Sequence, residues 1–133
     1  MAQVDTPPAA KKLTELARSA SGLRLLVLFG SRARGDAHPG SDWDLGYLAE
    51  DGFDPDALMA QLVVTLGDDR VDIVDLARAN GLLRYRVAGE GKPIYESAPH
   101  TFEDFWLEAV TFWCDVQPVL EAAYDGVLAR LER

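Results

Sequence analysis

Leu23, Leu25, Leu26, Val27, Leu28 and Phe29 form an apolar run broken only by Arg24, with Gly22 before it and Gly30 after it. Such a run is too short for a buried helix and is punctuated at both ends, so it reads as a buried strand. Trp43 to Ala49 and Arg70 to Leu76 read as a second and a third strand. Between these two, Asp54 and Pro55 open a helix whose core face is Leu58, Met59, Leu62, Val63 and Leu66, and Gly67 closes it. Upstream, Thr6 followed by Pro7 and Pro8 predicts an N-cap with proline in the first turn. The helix continues to about Ala20, with Leu13, Leu16, Ala17 and Ala20 on one face. Gly30 to Ser41 is loop-like. Strands interspersed with helices give a single α/β (α+β) domain.

The remaining third is helical in pattern. Leu82 to Val87 predicts a short helix that stops before Gly89 and Gly91, and Pro93 to Glu96 a short edge strand. Thr101 is the expected cap of a long last helix, with Asp104 in capping-box position, reaching about Leu131. About 30 residues at 1.5 Å each span roughly 45 Å. A globule of this size has a radius of gyration of about 14 Å, so this helix must bend or project. Pro118 is expected to kink or split it.

Composition excludes several classes. In 133 residues, 48% are apolar, enough for a real core. No apolar run approaches the roughly 20 residues of a membrane span. The start, MAQVDTPPAAKK, lacks the apolar segment of a signal peptide, so a cytoplasmic protein without a membrane role is expected. A single cysteine, Cys114, rules out an internal disulfide or a cysteine-rich zinc site, and reads as a small buried residue. A net charge of −9 repels nucleic acid backbones, so no direct nucleic acid binding is expected; it suits a basic protein partner.

The chemistry concentrates in GSRARGDAHPGSDWDLGYL, Gly30 to Leu48. Gly30 and Ser31 follow directly on a buried strand. Glycine admits close approach of the backbone to a ligand, and serine offers a hydroxyl and an N–H to a phosphate oxygen. Arg32 and Arg34 stand beside them with charge to neutralise phosphate. Asp42 and Asp44, at positions i and i+2, project to one side of the second strand, while Trp43 and Tyr47 pack beneath it. Two close carboxylates repel unless a cation lies between them, and oxygen ligands of this kind suit Mg²⁺ shared with substrate phosphates. Gly-Ser alone is most often a turn, and Asp-x-Asp alone a solvated pair. From average residue usage, the joint pattern arises by chance in such a chain with a probability of only about 0.3%. A third carboxylate belongs on the strand VDIVDL, where Asp72 and Asp75 have opposite parity and only one can face the site. If strands two and three are parallel, Asp72 lies level with Asp44 and Asp75 caps the following segment. His38 reads as a solvated loop residue, His100 as a helix-start residue and Asp36 as a turn residue.

GSRARGDAHPGSDWDL followed by VDIVDL closely resembles the minimal nucleotidyltransferases of the polymerase-β superfamily, whose signature is Gly-Ser, ten residues, Asp-x-Asp and a later acidic residue. LLRYRVAGEGKPIYE extends the resemblance over about Leu23 to Glu96. It implies a small mixed β-sheet with helices packed mainly on one face and a long C-terminal helix. Residues 1–98 form the nucleotidyltransferase domain with its N-terminal helix, and residues 99–133 a helical extension of it. It implies two Mg²⁺ ions held by Asp42, Asp44 and Asp72, which are also the catalytic residues, and ATP gripped through Gly30, Ser31 and Arg32. Many members resemble antitoxins that adenylylate a tyrosine of a HEPN-type ribonuclease toxin, which makes protein adenylylation the implied activity and such a toxin the implied partner. Transfer to a small molecule normally needs a further acceptor-binding domain. A toxin-neutralising binder without catalysis has no use for a complete carboxylate set.

The last helix admits two readings. Phe102, Trp106, Trp113, Leu120, Val127 and Leu131 form one stripe, and Phe105, Phe112, Val116, Val119 and Ala123 a neighbouring one. Either all of this is core, or one stripe docks on the domain while the other meets a partner or a second copy, as in a homo-oligomer.

Overall fold

The computed structural model describes residues 7–131. The elements are α1 (Pro7–Ser19), β1 (Leu23–Phe29), α2 (Ser31–Arg34), β2 (Trp43–Ala49), α3 (Pro55–Leu66), β3 (Val71–Asp75), α4 (Gly81–Glu90), β4 (Lys92–Glu96) and α5 (Thr101–Leu131). The expected cap Thr6 lies outside the described residues.

The apolar run of β1 is explained by its place in the sheet, whose order is β3-β2-β1-β4. As an inner strand it is covered on both faces, so it carries no polar alternation. Leu23, Leu26 and Leu28 face one core, and Leu25, Val27 and Phe29 the other. β1 is antiparallel to β2 and β4, while β2 and β3 run parallel. A parallel pair needs a crossover, and α3 supplies it. Asp54 starts that helix, its Oδ1 accepting from the N–H groups of Asp56 and Ala57 at 3.1 and 3.3 Å. β4 is an edge strand, which tolerates Pro93.

Helices cover both faces of the sheet, a more even division than one mainly one-sided. Leu13 and Ala17 of α1, with Leu58 and Leu62 of α3, pack on Trp43, Leu45, Tyr47 and Val71. Val87 and Ala88 of α4, with Phe105 and Ala109 of α5, pack on Leu25, Val27, Phe29 and Leu76. The second layer arises because α5 turns back along α4 and carries its first apolar turns over β1.

Four local expectations are corrected. The loop after β1 contains a helical turn, α2, closed by Gly35 at φ 87°. Helix α4 runs through Gly89 to Glu90, and its stop is Gly91, where a Cβ would lie 2.5 Å from Val27 Cγ1. Thr101 does not cap α5: its hydroxyl donates to Ala98 O at 2.7 Å, and the Glu96 carboxylate accepts the Phe102 N–H at 2.8 Å. Asp104 donates its N–H to His100 O, which puts His100, at φ 70°, in the cap position.

Cys114 is exposed, not buried, although its neighbour Trp113 is still partly covered by the domain. Pro118 lies inside α5 without ending it. Trp113 stacks on Tyr85 of α4 at 5.7 Å and 25°. Beyond Val116 every described side chain of α5 is exposed, including Leu120, Tyr124 and Val127. The all-core reading does not hold: α5 docks through Phe105, Ala109 and the Trp113–Tyr85 stack, while Trp106, Leu120, Val127 and Leu131 of the first stripe are exposed. No helix among the described residues is long and apolar enough to cross a membrane.

Candidate active site

The antiparallel pairing of β1 with β2 sets Phe29 opposite Asp44, which brings Gly30 beside the Asp44 side chain. Gly30 has φ 78° and ψ −159°, a combination essentially confined to glycine. A Cβ on it would overlap Asp44 Oδ2 and lie 3.2 Å from Asp44 Cγ. The glycine is therefore required twice, by its backbone and by the carboxylate it admits. Parallel pairing then sets Asp44 opposite Asp72. Asp42 stands just before β2 and is exposed, Asp72 is exposed, and Asp44 is half-buried. Trp43 and Tyr47 are buried on the opposite face, as strand alternation requires.

Partial burial raises the Asp44 carboxyl above its ordinary value, reinforced by the charges of Asp72, Asp42 and Glu90 and opposed by Arg86. Asp75, of opposite parity, turns away: its Oδ1 accepts the Ala77 N–H at 3.0 Å, and its carbonyl accepts from Arg78 and Ala79. His38 is exposed, its Nδ1 accepting the Gly40 N–H at 3.1 Å. Asp36 is an exposed turn residue paired with Arg34.

A match to the family model "Polymerase beta, Nucleotidyltransferase" spans residues 11–100, and so contains this whole arrangement. The chain belongs to that family. This nucleotidyltransferase is 33% identical to the protein adenylyltransferase MntA of Shewanella oneidensis, over 80% of this chain and 78% of the relative. A crystal structure of a toxin–antitoxin with AMP-PNP has a TM-score of 0.75 and 31% identity, covering 90% of this chain and 98% of that one. The complex of tri-AMPylated Shewanella oneidensis HEPN toxin with its MNT antitoxin gives 0.69 and 29%, covering 96% and 99%. The mixed four-stranded sheet and long last helix are thus those of a polymerase-β-like nucleotidyltransferase.

Not every residue singled out from the nucleotidyltransferase sequence lies open to a ligand. Ser31 is half-buried at the start of α2. Arg32 was expected on phosphate, but its Nη2 donates to Ser41 O at 3.0 Å and its guanidinium lies 4.2 Å over the Trp43 ring. It ties the loop to β2, because a flat cation stacked on an indole is favourably held. Arg34 is the exposed arginine of the turn. Glu90 and Arg86 were not foreseen. Glu90 accepts the Gly30 N–H at 2.7 Å, yet no periodicity or spacing links residues so distant in the chain.

Among the described residues, no three His, Cys, Asp or Glu side chains close into a ready-made metal cage. Carboxylate oxygens are the ligand type that suits Mg²⁺, which takes one or two of them and completes its shell with water and substrate phosphates. The donor set around Asp44 is all carboxylate oxygen, and Asp44 Oδ2 packs against Gly30, in the space a Cβ would fill.

Proposed function

We propose that this nucleotidyltransferase transfers AMP from ATP to a protein hydroxyl, a tyrosine of a HEPN-type ribonuclease toxin, and so acts as an antitoxin in the cytoplasm. The observation that carries the reading is Asp44, half-buried against a position only glycine can fill, in register with an exposed Asp72.

Asp42, Asp44 and Asp72 are the residues to hold two Mg²⁺ ions. When bound, these ions neutralise triphosphate charge and lower the pKa of the attacking hydroxyl. The Gly30–Ser31 turn binds phosphate oxygens through the Ser31 hydroxyl and backbone N–H. Arg34, exposed beside it and ion-paired with Asp36 and Glu90, brings a guanidinium to the same turn. Asp72 stands at the open lip, where a macromolecular acceptor can reach it, and its carboxylate takes the tyrosine proton. The tyrosine oxygen bonds to the α-phosphorus, the bond from that phosphorus to the bridging oxygen breaks, and pyrophosphate leaves. Most of the rate comes from holding these groups in line. The net charge of −9 favours encounter with a basic partner.

The test is intact-mass spectrometry of the product of the neighbouring gene, which the reading requires to be a HEPN-type protein, after incubation with the full chain, ATP and Mg²⁺. The expected result is a mass gain of one or more AMP groups, lost when the acceptor tyrosine is changed to phenylalanine. No gain on that protein, with hydrolysis of ATP or transfer to a small molecule instead, overturns the assignment.

A further inference from the structure

Glu90 is the last residue of α4, and its carboxylate lies against the turn that follows β1. The Gly30 N–H donates to Glu90 Oε2 at 2.7 Å, and Arg34 Nη1 donates to both Glu90 oxygens at 3.4 and 3.3 Å. One carboxylate thus ties together two elements separated by 60 positions in the chain. The first bond is charge-assisted, at the short and strong end for an N–H to a carboxylate, and both partners are part-buried. The second involves an exposed arginine and is worth little by itself.

The placement of Glu90 is built into the fold. At Gly91 a Cβ would overlap Val87 O and crowd Val27, so only glycine lets α4 end flush on β1. The Gly91 N–H closes the helix on Val87 O at 2.8 Å. Val87 and Ala88 are buried in the same core as Val27 and Phe29. The end of α4 is therefore held rigidly beside the end of β1. Gly30 by contrast is the most permissive residue type, with many conformations open to it besides the one at φ 78°. In that conformation the space a Cβ would occupy is filled by the Asp44 carboxylate. An anchor on its N–H removes the alternatives.

We propose that Glu90 is a positioning residue, whose carboxylate fixes the Gly30–Ser31 turn against Asp44 before nucleotide or metal arrives. The catalytic consequence rests on the adenylylation reading above; the structural consequence does not. Glu90 acts through the turn it holds, by its bonds to the Gly30 N–H and Arg34.

Two variants of the full chain, Glu90→Ala and Glu90→Gln, test this. The first removes the acceptor, and the second keeps an amide oxygen in its place. In the free protein, NMR hydrogen exchange at the Gly30 amide is expected to quicken about ten- to a hundredfold in Glu90→Ala, the effect of losing a charge-assisted hydrogen bond, and to recover largely in Glu90→Gln. Protection of the Leu26 amide, inside β1, stays unchanged and shows that the sheet is intact. With the HEPN-type acceptor, kcat falls about a hundredfold in Glu90→Ala with KM for the acceptor preserved, as for a misplaced catalytic group, and Glu90→Gln restores most of it. Unchanged Gly30 exchange in Glu90→Ala, or failure of Glu90→Gln to restore turnover, overturns the proposal. Absence of adenylylation by the wild-type chain defeats the functional reading alone, since the exchange measurement needs no substrate.

Discussion

Gly30→Ala tests the central steric claim. The native backbone, at φ 78° and ψ −159°, lies in a region that costs a residue with a Cβ about 1–3 kcal/mol. The new methyl would also overlap Asp44 Oδ2, with Cγ and Cβ of Asp44 at 3.2 and 3.3 Å. The Asp44 backbone is paired on both sides, with Phe29 of β1 and Asp72 of β3, so relief must come from swinging its carboxylate away. A misplacement of about 1 Å at a reacting centre costs on the order of a hundredfold in rate. For a domain of this size, 1 kcal/mol shifts the midpoint by roughly 3–6 °C. Gly30→Ala is therefore expected to melt some 5–15 °C lower and to transfer AMP at least about a hundredfold more slowly. Gly52→Ala is the matched control. It has φ 85°, and nothing lies within 4 Å of its added Cβ, so it carries backbone strain alone. It should lose stability and keep its rate. Calorimetry and single-turnover transfer to the acceptor measure both quantities. A Gly30→Ala protein whose rate matches that of Gly52→Ala would refute the idea that this glycine exists to admit the carboxylate.

Asp44→Asn is expected to abolish transfer while melting at or above the wild-type temperature near neutral pH, since ionised Asp44 is desolvated and repelled by Asp72, Asp42 and Glu90. Because its folded pKa is raised above 3.8, the native state binds more protons, so the metal-free wild type should lose stability as pH rises through that raised value; a mutant lacking this loss confirms the source, and an identical pH profile removes it. Asp72→Ala should cost orders of magnitude in rate, whereas Asp75→Ala should cost about 1 kcal/mol for the lost cap and keep activity; the reverse pattern in transfer assays defeats the register argument. Trp113→Ala, which removes one stacked pair with Tyr85, should cost about 0.5–1.5 kcal/mol beyond its modest burial, below the roughly 3–5 kcal/mol of a core tryptophan. Leu120→Ala, on the exposed part of α5, should stay within about 0.5 kcal/mol of wild type in urea unfolding.

Much of this protein is legible in its sequence, and the reason is that the informative patterns are local. The run at Leu23–Phe29 has no polar alternation because both its faces are buried, so the strand and its central place are written in consecutive residues. Two-residue periodicity sets Asp42 and Asp44 together, sends Trp43 and Tyr47 beneath them, and separates Asp72 from Asp75; one parallel pairing then suffices to bring Asp72 level with Asp44. Tertiary structure decided what depends on partners distant in the chain. Arg32 looks like a phosphate ligand from its neighbours in sequence, but the return of Ser41 and Trp43 beneath it gives its guanidinium other work. Glu90 has no feature that distinguishes it from any surface acid until Gly91 seats α4 on β1 and its carboxylate meets Gly30. The two apolar stripes of α5 could not be divided from their spacing, because periodicity specifies a face and not what covers it. Only the position of α4, which ends its contact near Trp113, fixes where the helix leaves the domain with its apolar residues exposed.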